Sequence, residues 1–568
     1  MNAAHPFWHR RVPSSRPRSR RFNAPARGNH LLEVLERPMM LDGATPWDKD
    51  SAARYLAKGY WENRTIAEMV YATARRVPTR TAIVSGSARL SYAELHRLTE
   101  RLACRLLGIG VRSQDRVVMQ LPNVVEFVPV YLALVRIGAI PVMALRVHRQ
   151  TEIRHFINAS IASAYVIPDQ FHDFDYRVMA ESLRAECPSL QRVLVLGEPA
   201  AGQISLSRLL AEDMPAATID GALREVRPDP MDVATMLLSG GTTSMSKLIP
   251  RTHNDYVLNA RCCASAGGFN DATVFMAMLP LSHNYNLASP GMLGTFYRGG
   301  TVVICPSGDP EVVFSLVEQE RVTVIAGAVP LITSWLDSQA IERFDLSSLE
   351  VVQNGGARLA PELRDRVRRL LRCTPQEIYG TAEGLINMTR LDVGDDLLLN
   401  SSGAPVCDED EIRVVDDDGN DVADGTPGEL ITRGPYTIRG YFNAPEKNRE
   451  AFTRDGFYRM GDIVRKRGRY VFAEGRRKDL INRGGEKISC EEVENLVLKH
   501  PGVKAVSLVA MPDEMFGEKA CAFVILKPGA ALTFDELIAF LKRQDIASFK
   551  LPERLVLVPE FPSSPVGK

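Results

Sequence analysis

The chain has 568 residues, 45% hydrophobic and 24% charged, with 69 basic residues against 69 acidic ones. That length exceeds what one core needs, so two or more domains are expected, with the composition of a globular protein. A formal net charge of zero gives no electrostatic case for nucleic acid or an anionic membrane as the main partner.

In chain order, residues 1–39 come first, rich in Arg, Pro and Ser and without an acid before Glu33. They read as a disordered extension. An over-long start, with translation beginning at Met39 or Met40, is favoured over a targeting peptide, because Pro13, Pro17 and Pro25 would break an amphipathic helix. From there on, helical stretches such as "YAELHRLTERLACRLLGIG" alternate with short β-branched runs: "RVVMQLP", "ASAYVIPD", "RVLVLGE", "ATMLLSG", "TVFMAMLP", "TVVICPS" and "VTVIAGAVP". Each run is closed by Gly, Pro, Asp or Ser, which predicts buried, largely parallel strands with crossover helices, an α/β fold. "VEFVPVYLALVRIGAIPVMAL" is interrupted by Glu126, Arg136 and Pro141 and predicts a buried helix and core strand, not a membrane span. The nine cysteines are scattered, none in a CxxC pair of metal-ligand spacing, and read as reduced thiols of a cytoplasmic protein.

After about residue 400 the pattern changes to antiparallel strands joined by an Asp-Gly turn, followed by the charged, glycine-bearing junction "EGRRKDLINRGGEKISCEEVE". The expected organisation is a large domain over 40–474, a junction at 475–479 and a small α+β domain over 480–568.

"LSGGTTSMSKLIPRTH" holds adjacent glycines, several hydroxyls and a lysine directly after an apolar strand. Glycines let backbone N–H groups approach an anion, and hydroxyls and lysine add donors and charge, so the stretch suits a polyphosphate. It is not a Walker A loop, because Lys247 leads into "LIPRTH" and not into a helix.

This loop, with "YGTAEG" at 379–384, "GELITRGPYTIRGYF" at 428–442, "GFYRMGDIV" at 456–464, the junction at 475–494 and "PVGK" at 565–568, resembles the signature set of the adenylate-forming superfamily. "MLDGATPWDKDSAARYLAKGYW", "LSHNYNLASPG" and "RGGEKISCEEVE" resemble, more narrowly, its stand-alone aryl-acid adenylating enzymes of siderophore biosynthesis. The likeness covers Met40 to Lys568.

The resemblance implies a large adenylation domain with mixed sheets and a β-barrel-like subdomain, and a small mobile C-terminal domain turning about Lys478. It implies ATP and Mg2+ as cofactors and an aryl acid, 2,3-dihydroxybenzoate first, as substrate. The activated acid would pass to a phosphopantetheinylated aryl carrier protein or to coenzyme A, and a homodimer is the expected assembly. Salicylate activation and an aryl- or acyl-CoA ligase are the alternatives within the superfamily, and a catalytically impaired nucleotide-binding relative is the alternative outside enzymes.

Residue by residue, the resemblance implies that Ser239, Gly240, Gly241, Thr242, Thr243 and Lys247 hold the β- and γ-phosphates. Gly355, Gly356 and Ala357 would line adenine, Tyr379 would stack on it beside Gly380 and Thr381, and Glu383 would ligate Mg2+. Asp462 would take the ribose hydroxyls, with Arg476 and Lys487 as further nucleotide contacts. Lys568 would bridge carboxylate, α-phosphate and ribose, forming the catalytic set with Thr243, Glu383 and His283. In the acyl pocket, Asn284 would bond the carboxylate or 2-hydroxyl, Tyr285 and Ile386 would sandwich the ring, Ser289 would meet a 3-hydroxyl, His283 would close the floor, and Val329 would line the wall. The chain departs from the family at Ser244, where glycine is usual. A positive φ there would cost about 1 kcal/mol. It departs again at Lys568, after which relatives usually continue.

Overall fold

The computed structural model describes residues 41–239, 245–476, 480–483, 486–513, 516–544 and 546–562. The chain divides into two compact units.

The first unit runs through Ala264 and adds Phe269–Pro306 and Ile438–Asn448. Its 7-stranded sheet has the order Leu248–Thr252, Val233–Leu238, Ile140–Met143, Arg116–Met119, Ala164–Pro168, Arg192–Leu196, Ile204–Ser205. Every neighbouring pair is parallel except the first, in which Leu238 pairs antiparallel with Leu248. Ile140–Met143 and Ala164–Pro168 are buried along their whole length, as parallel strands covered on both faces should be. A second set of strands pairs Thr301–Ile304 in parallel with both Val274–Ala277 and Thr81–Ser85, with Ala88–Ser91 antiparallel at the edge.

The predicted helices lie between these strands. Tyr92–Gly108 opens on a Ser91–Glu94 capping box that satisfies two orphan donors. Phe127–Arg136 is buried from Phe127 to Val135, so its unbroken apolar sequence serves a core helix.

The second unit comprises Ser265–Gly268, Ser307–Thr437 and the chain from Arg449 onward. Parallel strands Val324–Gly327, Val351–Gly355 and Thr374–Thr381 are continued by antiparallel Gly384–Met388 and Ala404–Pro405. A 4-stranded antiparallel sheet follows, Glu411–Val415, Gly428–Arg433, Tyr458–Arg467 and Tyr470–Arg476. The predicted Asp-Gly turn is present, with Gly419 at φ 86 and Asp416 accepting from the backbone of Asp418 and Asn420.

The C-terminal sheet is 5-stranded, with Gly517–Leu526 pairing antiparallel with Val503–Asp513 and parallel with Arg554–Leu557. Helices Cys490–Val497 and Phe534–Lys542 turn Val493, Val497, Leu537 and Leu541 into its core. Ser489 caps the first of them and Thr533 the second.

Candidate active site

In the first unit, two strands position the phosphate-loop candidates. Ser239 follows Val233–Leu238 and Lys247 precedes Leu248–Thr252, so the antiparallel pair brings both ends of the loop together. The Ser239 N–H donates to the Lys247 carbonyl at 3.0 Å, and the Lys247 N–H donates to Ser239 Oγ at 2.9 Å. The Lys247 ammonium lies 4.9 Å from the Tyr441 ring centre, a cation–π contact that supports the charge without neutralising it. The loop runs from one strand into another, as the exclusion of a Walker A motif required. Gly240, Gly241, Thr242, Thr243 and Ser244 lie outside the described residues.

The acyl-side candidates sit on the short helix Asn284–Ala288, whose N-cap is His283. His283 is half-buried, and its Nδ1 accepts from the Tyr285 N–H at 3.2 Å. Asn284 is 6% exposed and Tyr285 8%. The Asn284 Oδ1 accepts from the Tyr256 hydroxyl at 2.8 Å, and its Nδ2 donates to Ser289 Oγ at 3.2 Å. Ser289 is 1% exposed, and its oxygen also accepts from Asn259 Nδ2 at 3.2 Å. A ring of amides and hydroxyls therefore stands where the sequence suggested separate contacts.

Tyr256 and Asn259 belong to His253–Ala266, buried without interruption from His253 to Ala260. Neither was read from the sequence. The run "HNDYVLN" carries no local signal for them, since an amide or hydroxyl on a helix reads alike whether it faces water or a buried partner. Beneath it Arg251 pairs with Asp255 at 2.8 Å, both buried, with the guanidinium 4.8 Å from the Tyr256 ring centre.

In the second unit, Thr374–Thr381 and Gly384–Met388 form a hairpin with Ala382 and Glu383 at its tip, Tyr379 opposite Asn387 and Gly380 opposite Ile386. Gly380 has no alternative, because a Cβ there would lie 2.2 Å from the Leu385 carbonyl oxygen. Glu383 is 7% exposed and Ile386 3%. Thr381 Oγ1 is buried without a hydrogen-bond partner among the described residues.

The Tyr379 hydroxyl donates to Asp462 Oδ2 at 2.7 Å, and Arg476 Nε lies 3.6 Å from Asp462 Oδ1, from the position paired with it across the sheet. Burial, and then the Asp462 carboxylate, hold the Tyr379 phenol well above its ordinary pKa, so it stays a donor. The turn after Val351–Gly355 has Gly356 at φ 90 and is held by Asn354, whose amide donates to the Ala357 carbonyl at 2.8 Å and to Glu377 at 2.9 Å. The next residue, Arg358, donates to Glu491 on Cys490–Val497 at 2.9 Å and to the Asn400 carbonyl at 2.7 Å, a further contact the sequence did not reveal. Val329 opens the helix Val329–Leu336 directly after a buried strand. Lys487 sits on Glu486–Ile488 opposite Asn482. Lys478 and Lys568 lie outside the described residues.

A largely parallel α/β unit with a hydroxyl-rich loop between strands, and a phenol on one sheet bonded to a carboxylate on another, fit a protein that handles a nucleotide. The model described as AMP-binding enzyme matches residues 70–442, and the one described as AMP-binding enzyme C-terminal domain matches 492–568. A 2,3-dihydroxybenzoate-AMP ligase of Bacillus subtilis (strain 168) is 45% identical over 530 residues, covering 93% of this chain and 96% of the relative. A 2-hydroxy-7-methoxy-5-methyl-1-naphthoate–CoA ligase of Streptomyces carzinostaticus is 42% identical over 533 residues, covering 93% and 95%. The apo structure of Mycobacterium smegmatis MbtA matches with a TM-score of 0.72 at 40% identity, covering 93% of this chain and 97% of that one. The chain belongs to the AMP-binding enzyme family of adenylate-forming ligases. Among the described residues no helix is long and apolar enough to cross a membrane.

Proposed function

We propose that the chain activates an aryl acid with ATP, 2,3-dihydroxybenzoate first among candidates, and passes the aryl group to the phosphopantetheine thiol of a carrier protein in siderophore biosynthesis. In the first half-reaction a carboxylate oxygen bonds to the α-phosphorus as the bond to pyrophosphate breaks. In the second, a thiol sulfur bonds to the acyl carbon, AMP leaves with the bonding electrons, and the thiol proton is released. The observation that carries the reading is the buried Asn284 amide, held by Tyr256 at 2.8 Å and Ser289 at 3.2 Å. A pre-set polar group of this kind rejects an acid lacking the matching hydroxyl, because it is left unpaired.

The nucleotide roles are assigned to the residues that fit them. Asp462 offers a carboxylate to the ribose hydroxyls, Tyr379 its ring to adenine beside Gly355, Gly356 and Ala357, and Arg476 a cation. Ser239, Thr242, Thr243 and Lys247 serve the phosphates, and Lys568 the charge that builds at the α-phosphate. Among the described residues no group of three or more His, Cys, Asp or Glu side chains could hold a metal ion, so Glu383 is proposed as a lone protein carboxylate among the ligands. That suits Mg2+, which takes most of its ligands from phosphates and water. Bound there, Mg2+ would supply neutralising charge to the phosphates. The domain scheme places 40–474 as the adenylating body and 480–568 as a mobile domain turning at Lys478.

The relative named as a CoA ligase favours a second reading of the acceptor, free coenzyme A. ATP–pyrophosphate exchange with 2,3-dihydroxybenzoate, salicylate, benzoate and a medium-chain fatty acid tests the acid. Exchange led by the fatty acid would overturn the aryl reading. Thioester formation with a holo-carrier against coenzyme A then decides the acceptor.

A further inference from the structure

We infer that Asn259 is a positioning residue which holds the Ser289 oxygen against Asn284 and so sets the discrimination between aryl acids with and without an ortho hydroxyl. The inference rests on the aryl-acid reading of Asn284 above. Tyr256 and Asn259 stand at i and i+3 of His253–Ala266, hence on one face of that helix. Tyr256 reaches the start of the short helix Asn284–Ala288, at Asn284 Oδ1, and Asn259 reaches its end.

The orientation of the Asn259 amide is fixed by chemistry. Its Nδ2 lies 2.7 Å from the Ala288 carbonyl, which can only accept, so the nitrogen must face it. The same nitrogen lies 3.2 Å from Ser289 Oγ, and Asn284 Nδ2 lies 3.2 Å from that oxygen on another side. A hydroxyl has two lone pairs and one hydrogen. Two amide donors fill both lone pairs and leave the Ser289 hydrogen free to donate onward. Asn284 is thereby held at both ends, its oxygen by Tyr256 and its nitrogen by Ser289. Without Asn259 the Ser289 side chain can rotate, and the Asn284 amide pivots on the Tyr256 bond alone.

Asn259 is also a costly residue to keep. It is 0% exposed, yet its Oδ1 has no hydrogen-bond partner among the described residues. An apolar residue of similar size would avoid that penalty but leave the Ala288 carbonyl and Ser289 without this donor, so the value of the asparagine lies in what its nitrogen holds. Ser289 then acts chiefly through Asn284, and less as the separate reader of a 3-hydroxyl expected from the sequence.

The test uses the full chain and compares wild type, Asn259→Leu, Ser289→Ala and the double variant. The readout is the ratio of kcat/KM for salicylate over benzoate in ATP–pyrophosphate exchange, with the KM for ATP measured alongside. The ratio is expected to fall about tenfold in Asn259→Leu through the salicylate KM, with kcat and the ATP KM unmoved. The double variant should lose no more than Ser289→Ala, because both substitutions act through one oxygen. A folded Asn259→Leu with the wild-type ratio overturns the inference. So does an unchanged ratio in Ser289→Ala, which removes only an oxygen and keeps the test open should Asn259→Leu not fold. A wild type without aryl-acid-dependent exchange sinks the function reading and this inference together, whereas a discriminating wild type beside equally discriminating variants sinks the inference alone.

Discussion

Asp410→Asn should make the protein more stable at pH 8 and remove the share of the pH dependence between pH 4 and 7 that Asp410 contributes, beside those of Asp232, His148 and His253. Asp410 is 3% exposed, and burial pushes its carboxyl from 3.8 to about 7. Its Oδ2 accepts from the Tyr436 hydroxyl at 2.6 Å and from the Cys407 N–H at 3.4 Å, while Oδ1 is buried without a hydrogen-bond partner among the described residues. The nearby Arg469 lowers the value and Asp408 raises it, both less than burial does. In this window the folded chain keeps on Asp410 a proton that the unfolded chain has lost, so the contribution of Asp410 to stability falls as pH rises and levels off above about 7. The interval from 3.8 to about 7 amounts to about 4 kcal/mol at 1.36 kcal/mol per pH unit, an upper figure that structural relaxation reduces. Asparagine has the shape of the protonated acid and bears none of this cost. The assay is the urea midpoint of wild type and variant at intervals from pH 4 to 8. Parallel curves would refute the reasoning, since they would mean that Asp410 titrates alike in both states. The effect bears on the strand Gly384–Met388 as well, because Tyr436 also accepts the Ile386 N–H at 3.1 Å.

Asn284→Ala should raise the KM for a hydroxylated aryl acid by tenfold or more while leaving the ATP KM in place, measured by pyrophosphate exchange. Tyr379→Phe removes the 2.7 Å bond to Asp462 and should cost about 1 kcal/mol, read as a roughly fivefold higher ATP KM. If Lys568 has the role proposed, Lys568→Ala should lower adenylation kcat by about a hundredfold or more and leave calorimetric ATP affinity nearly intact, because a charge that acts in the transition state adds little to ground-state binding. Arg251→Met strands the buried Asp255 carboxylate and should destabilise the fold by about 3–5 kcal/mol, seen in the urea midpoint.

Much of the first unit was legible from composition and periodicity. The runs "RVVM", "AYVIP", "RVLVL" and "VATMLL" became strands Arg116–Met119, Ala164–Pro168, Arg192–Leu196 and Val233–Leu238, because β-branched residues closed by turn formers leave little other use for the segment. What stayed hidden depends on distant partners. Tyr379 and Asp462 were each singled out, yet their mutual bond joins residues 83 apart and needs two strands to meet. Asp410 lies in the acidic stretch "CDEDEIR", where nothing local marks it as buried, and only tertiary packing makes it a buried carboxyl. Asn259 went unread, since nothing local tells an exposed amide from one that faces a carbonyl across the core.

The hairpin that carries Glu383 has a consequence for how such a chain can vary. Its tip is only Ala382 and Glu383, and the position before Thr381 tolerates no side chain because the Leu385 carbonyl occupies the space. A single added methyl at Gly380 could be accepted only by widening the hairpin, and widening the hairpin would move the carboxylate. The absence of a side chain at one residue and the placement of an acid three residues on are therefore coupled through one hairpin. Drift at Gly380 would be felt at Glu383 as a change of address, with every atom of the glutamate still in place.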